Sequence, residues 1–186
     1  MFSHLPKPKV EHSSVIFEES YVRLEKDRLL LPDGDHYNYY TLRISPASVM
    51  ILAKTSDNKF ILNREYRHPT GRFVLGTPGG VIDDGEQPLD AGPRELLEET
   101  GYTAQNFQLI GESYSFPGIL GQKSYYLYAD NATKISEPKL ELAELIHPIL
   151  MSWDELQIAI EENADLDGLM CTAFFFYQNF LMKRSK

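Results

Sequence analysis

The stretch Gly80-Val81-Ile82-Asp83-Asp84-Gly85-Glu86-Gln87-Pro88-Leu89-Asp90-Ala91-Gly92-Pro93-Arg94-Glu95-Leu96-Leu97-Glu98-Glu99-Thr100-Gly101-Tyr102 decides the reading of this chain. Its second half predicts a helix from about Pro88 to Thr100, stopped by Gly101. Glu95, Glu98 and Glu99 stand at i, i+3 and i+4, so all three leave one helical face. Like charges at that spacing repel, and no lysine follows to relieve them. Arg94 can pair with Glu98 or reach Glu86, but one guanidinium does not neutralise three carboxylates. A hard divalent cation with oxygen ligands does. An isolated Glu-Glu pair is usually a solvated acidic face. Here it comes with a glycine-rich approach, a spaced Glu86, an arginine and a closing glycine. Pro93 breaks helix habit, so the helix is expected to begin late or to kink there.

Outward from the helix, the chain reads as strands with few helices. Val22 and Leu24 alternate with Arg23 and Glu25, Pro32-Asp33-Gly34-Asp35 forms a turn, and Tyr37 to Ile44 is rich in strand formers. This predicts a small antiparallel β lobe from Val15 to Ile44, with Ser45-Pro46 as a boundary. Residues 1–44 are thus an N-terminal β lobe and 45–186 the main domain. Further strands are expected at Ser48–Lys54, Phe60–Tyr66, Arg72–Leu75, Phe107–Ser113, Ser124–Ala129 and Leu145–Met151. Gly76-Thr77-Pro78-Gly79-Gly80 reads as a loop. Ser152 caps a helix with Glu155 as its box partner, and a last helix spans Leu166 to Lys183. Without regular β-α alternation, the fold class is α+β.

Composition narrows the function classes. The 186 residues carry 18 Lys plus Arg against 27 Asp plus Glu, a formal charge of −9. That lacks the basic footprint of a nucleic-acid or anionic-membrane binder. If the protein handles phosphates, something other than a lysine field must neutralise them. The single cysteine, Cys171, excludes an intrachain disulfide and fits a reducing compartment. Met1 to Ser14 has no apolar core of the signal-peptide kind, so the expected location is the cytoplasm.

The quoted stretch resembles the Nudix box: glycine, five residues, Glu, seven residues, Arg-Glu-aliphatic-x-Glu-Glu-x-Gly. Gly80, Glu86, Arg94, Glu95, Glu98, Glu99 and Gly101 meet the pattern. The resemblance implies the Nudix fold, a mixed β-sheet sandwiched between helices, and hydrolysis of a nucleoside diphosphate linked to another moiety. It implies Glu95 and Glu99 as leading metal ligands, with Glu98 close by, the Gly79 carbonyl as a further ligand, and Mg²⁺ (or Mn²⁺) as the ion. Glu86 and Arg94 would tie loop to helix. Both Glu95 and Glu99 are expected to be exposed to the cavity.

Two more stretches resemble the ADP-ribose and nucleoside diphosphate sugar pyrophosphatase branch. Arg64-Glu65-Tyr66-Arg67-His68-Pro69 is similar to its Gln-Tyr-Arg-x-Pro strand end, implying Arg67, with Arg64, as phosphate-facing groups. Ser115-Phe116-Pro117-Gly118 stands where the branch has Ser-Pro-Gly. Pro117, Gly118 and Val81 are therefore expected to touch substrate. The branch's Glu-Leu-Pro-Ala-Gly is replaced by Gly76-Thr77-Pro78-Gly79-Gly80, and the acidic end of its Ser-Pro-Gly loop by Gly121-Gln122-Lys123. These departures keep open a Nudix hydrolase of dinucleoside polyphosphates or nucleoside triphosphates; a module that senses a nucleotide without cleaving it is a further alternative, whose signature would be the loss of a box glutamate, and none is lost. The base is expected on a mobile loop, Glu144 or Glu141, with Glu144 also a metal or water ligand and Glu98 next in line. The lobe is too small to bury its own faces, which predicts a homodimer.

Overall fold

The turn at Pro32-Asp33-Gly34-Asp35 closes as its residues dictate. Gly34 takes φ +96°, its N–H donates to the Leu31 carbonyl, and the Leu31 N–H donates to the Asp35 carbonyl. The computed structural model describes residues 5–44, 47–162 and 165–184. Ser45 and Pro46, read as a boundary, lie outside them.

The turn joins β2 (Val22–Leu30) to β3 (His36–Arg43), and β1 (Lys9–Glu19) completes a three-stranded antiparallel sheet in the order β1-β2-β3. β1 starts well before Val15, where the strand signal began. Every residue in it is exposed, so no inside–outside alternation marks it in the sequence. Met1–Pro46 and Tyr114–Lys123 form one compact unit, Ala47–Ser113 and Ser124–Lys186 another. In the first, Leu42 N–H donates to the Ile119 carbonyl at 2.9 Å and the Tyr39 hydroxyl to the Gly118 carbonyl at 2.6 Å.

The second unit holds β4 (Ala47–Thr55), β5 (Phe60–Arg67), β6 (Arg72–Gly76), β7 (Gly79–Val81), α1 (Pro88–Thr100), β8 (Tyr102–Tyr114), β9 (Lys123–Lys134), β10 (Ile146–Met151), α2 (Trp153–Glu161) and α3 (Gly168–Arg184). Its sheet runs β10-β5-β4-β9-β8, with β6 on β5 and β7 on β4. Gly79–Val81, read as loop because of its glycines, is thus a short strand against Ser48–Met50. β4 and β5 pair only at Ala53–Ile61 and Lys54–Phe60. Beyond that β5 pairs with β6 and β4 with β7, so Gly76 to Gly79 crosses the gap between the diverging strands.

Alternation along the strands builds one core on each sheet face. Val49, Ile51, Ala53, Ile61 and Leu127 meet Ala91 and Leu96 of α1. Leu52, Phe60, Leu62 and Tyr128 meet Leu156 of α2 and Met170, Phe174 and Tyr177 of α3. A Cβ at Gly92 would run into Leu127 Cδ1, so the bare backbone lets α1 lie close to the sheet. The helix does not begin late. It starts at Pro88, in its first turn, and runs through Pro93. The N–H that Pro93 lacks would have served only the Leu89 carbonyl, in the first turn, beside a half-exposed side chain. Gly101, at φ 75°, caps the helix by donating to the Leu97 carbonyl. The expected capping box of Ser152 and Glu155 is present in both directions.

Candidate active site

Beneath α1, a cavity of about 540 Å³ is lined by Glu65, Arg67, Gly79, Gly80, Val81, Asp83, Arg94, Glu95, Glu98, Glu99, Lys139, Glu141 and Glu144. Seven carboxylates face three cations there. Four elements supply them, and each does so for a local reason.

The helix gives Glu95, Glu98 and Glu99. All five N–H groups of Arg94 are used around them. Its Nε and Nη2 grip the two oxygens of Glu86 at 3.1 and 2.8 Å. Its Nη1 donates to Glu95 Oε1 at 2.8 Å and to Glu98 Oε2 at 3.2 Å. Nη2 also donates to the Val81 carbonyl at 3.2 Å. This bracing holds Arg94 far above its usual range, chiefly through Glu86, and Glu86 below its own, chiefly through Arg94.

β7 and the crossing before it supply Gly79 and Gly80. A Cβ at Gly80 would stand 2.5–2.7 Å from the Glu95 carboxylate, so only glycine admits Glu95 here. Gly79 N–H donates to Glu99 Oε2 at 2.9 Å. β5 supplies Glu65 and Arg67, two apart and hence on one face. Their ion pair is 2.6 Å long. Arg64 alternates onto the opposite face and does not line the cavity. The same cavity-side face carries Asn63, buried below Glu99.

The fourth element is the segment 135–145. It is fastened to the end of α1: Gly101 carbonyl accepts from Ile135 and Ser136, and Glu98 carbonyl accepts from Lys139 at 2.7 Å. Those are helix-end carbonyls without intrahelical donors. Glu141 and Glu144 then close a turn, Glu144 Oε2 accepting from Glu141 N–H at 2.8 Å. Three apart in a loop, they are nonetheless brought together. Pro117 and Gly118 lie in the other compact unit.

Glu95 and Glu99 are only 9% and 5% exposed, which corrects the expectation that they open freely to the cavity. They are buried where α1 packs on the sheet through Ala91 and Leu96, and both still line the cavity. Burial pushes Glu99 up to about 8, against the Gly79 N–H, with Glu95, Glu65 and Glu144 adding repulsion. Glu95 is raised by burial and held back by Arg94. Glu65 is raised by burial and held back by Arg67.

The donor set fits a hard divalent cation. Glu95, Glu98 and Glu99 each commit one oxygen to hydrogen bonds and keep the second, and the crowding of like charge is what a cation would relieve. Among the described residues no group of three acids, histidines or cysteines converges as a ready-made metal cage.

Glu65, Asp83, Lys139 and Asn63 were not singled out from the sequence as site residues. Asn63 had a signal: it is polar in the otherwise apolar run Phe60-Ile61-Leu62. Lys139 and Asp83 had none beyond their charge.

Comparison with known proteins adds four findings. The NUDIX domain family matches residues 44–170. An ADP-ribose pyrophosphatase of Bacillus subtilis (strain 168) is 32% identical over 164 residues, 88% of each chain. A methanol dehydrogenase activator of Bacillus methanolicus is 27% identical over 164 residues, again 88% of each. A crystal structure of an ADP compounds hydrolase superposes with a TM-score of 0.85 over 98% of both chains, at 24% identity, a likeness of fold.

Proposed function

The chain belongs to the NUDIX family, and from that premise we propose that it hydrolyses the diphosphate bond of nucleoside diphosphate sugars of the ADP-ribose, ADP-glucose or GDP-mannose class. The products are a nucleoside monophosphate and a sugar phosphate. The observation that carries this reading is the cavity itself, whose lining joins the box carboxylates to Arg67 and Lys139.

Glu95, Glu98 and Glu99 would hold a divalent cation, Mg²⁺ with Mn²⁺ as substitute, aided by the Gly79 carbonyl. Such an ion polarises phosphoryl oxygens and lowers the pKa of water. The chain does the rest. Arg67 and Lys139 bind the non-attacked phosphate oxygens, Arg67 exchanging its bond to Glu65 for one to phosphate. Val81, in the cavity lining, is proposed to meet the nucleoside or sugar. Arg94 and Glu86 keep α1 and its approach in register. Glu144, half-buried and anchored by Glu141 N–H, takes the proton of the attacking water, with Glu141 as its substitute. The Glu144→Gln variant is expected to lose kcat by about 10²–10⁴ with KM little changed. If neither Glu144→Gln nor Glu141→Gln loses more than about threefold, Glu98 is the next group to test.

A second copy of the chain is the proposed partner. The three-stranded sheet exposes Val10, Val15, Phe17, Tyr37 and Tyr40, apolar surface that another sheet could cover. Among the described residues no helix is long and apolar enough to cross a membrane. The cytoplasm is the proposed location, supported by Cys171 being the sole cysteine.

The test is a product analysis with Mg²⁺ and ADP-ribose, ADP-glucose, GDP-mannose, UDP-glucose, diadenosine polyphosphates and nucleoside triphosphates. Nucleoside monophosphate plus sugar phosphate supports the reading. Turnover of the polyphosphates or triphosphates alone overturns it.

A further inference from the structure

Asn63 is 1% exposed in the middle of the sheet, next to Phe60, Ile61 and Leu62, all buried. Its Nδ2 donates to Glu99 Oε2 at 2.9 Å, the same oxygen that accepts from Gly79 N–H at 2.9 Å. The amide is oriented by that carboxylate, since turning it would set two acceptor oxygens against each other. Its other end, Oδ1, is buried with no hydrogen-bond partner among the described residues.

A side chain kept only for packing would not look like this. A leucine or valine would fill the strand position without leaving an orphaned oxygen, which costs about 1–3 kcal/mol. The arrangement keeps one donor aimed at Glu99 at the expense of one unsatisfied acceptor. Two fixed donors on a single oxygen pin the carboxylate rotamer and leave Oε1 uncommitted.

We propose that Asn63 is a positioning residue for the metal site: with Gly79 N–H it clamps Glu99 Oε2, so that Oε1 is held ready for the divalent cation. This rests on the reading of Glu99 as a metal ligand. Asn63 does not touch substrate or ion and acts through Glu99, in the way that outer partners of ligating groups tune affinity. The strands make this geometry available. Asn63 pairs with Gly76 in β6 and Gly79 with Met50 in β7, so the two donors flank the crossing between the diverging strands.

The experiment is a calorimetric titration of Mn²⁺ into the metal-free protein, for wild type, Asn63→Leu, Asn63→Ser and Glu99→Gln, with circular dichroism and Tm recorded on each. Asn63→Leu and Asn63→Ser are expected to weaken Mn²⁺ binding about 10- to 100-fold while remaining folded. Asn63→Leu should keep or raise Tm, because the orphaned oxygen is gone. If Asn63→Leu does not fold, Asn63→Ser, which asks for less volume, decides. A folded variant that binds Mn²⁺ within about threefold of wild type, while Glu99→Gln has lost binding, overturns the role of Asn63 alone. Glu99→Gln binding as wild type does would remove Glu99 as a ligand and overturn both.

Discussion

The two compact units treat charge in opposite ways. In the three-stranded unit, no apolar side chain is buried among the described residues, and charges pair off on the surface: Arg23 with Glu18 and Glu25, Arg43 with Glu25, Arg28 with Glu11. Such exposed pairs contribute little, about 0–1 kcal/mol each. In the larger unit a core lies on each face of the sheet, and carboxylates are driven below the surface, with Glu99 raised to about 8. A core supplies enough stability to hold groups in an unfavourable state, and that state is where chemistry can be done. A sheet without a core has nothing to hold such groups with, and its free faces ask for another surface instead.

The sharpest way to break this contrast is to neutralise the buried charges. Glu99→Gln and Glu95→Gln are expected to fold as stably as wild type without metal, yet lose several orders of magnitude in kcat. EDTA should abolish wild-type activity and Mg²⁺ restore it. Activity within about tenfold of wild type in both variants would remove the box helix from the chemistry. Next in size comes the coreless unit. Phe17→Asp puts a charge on its exposed apolar surface and should weaken self-association by about 2 kcal/mol. Light scattering at micromolar protein would then move toward the monomer, and a monomeric wild type would refute the dimer. Arg94→Lys keeps the charge but loses the fork on Glu86. A fall in stability of about 1–3 kcal/mol in denaturant titrations is expected, and no change would mean the bracing is ornamental.

The smallest effect concerns an exposed charge in the larger unit. Ser152→Ala should destabilise by about 1 kcal/mol. Its box partner Glu155 is held below the ordinary carboxylate range, first by the hydrogen bond from Ser152 N–H. A depressed carboxylate contributes stability above the unfolded value, lost as pH falls through the folded one. The Tm gap between wild type and Glu155→Gln should therefore be widest at neutral pH and close on acidification below about pH 4.

What the sequence disclosed follows the same division. The helix from Pro88 to Thr100, its Gly101 stop and the Ser152–Glu155 cap are local, and local rules found them. The fold class also came through, because strand runs follow one another with few helices and no regular β-α alternation. β1 did not, since a strand exposed on both faces has no reason to alternate. β7 stayed hidden behind its glycines, of which Gly80 makes room for the Glu95 carboxylate and Gly79 for the Val49 carbonyl of β4. Asn63 meets Glu99 across 36 positions of chain, a partnership that no window along the sequence contains. Pro93 looked more disruptive than it is, because the one carbonyl its missing donor leaves unserved, that of Leu89, lies in the first turn.

Gly92 has a consequence for how this cavity could be reshaped. Leu127 occupies the place a side chain at 92 would take, so the seating depth of α1 is set by an absent methyl group. Glu95 and Glu99 lie three and seven residues further along, the second about 10 Å away along the axis. Raising the helix at position 92 would swing them as a rigid arm, altering the width between the box carboxylates and the Glu141–Glu144 turn. Position 92 is thus a calibration screw for the reach of the site, adjustable without replacing any group that touches the substrate.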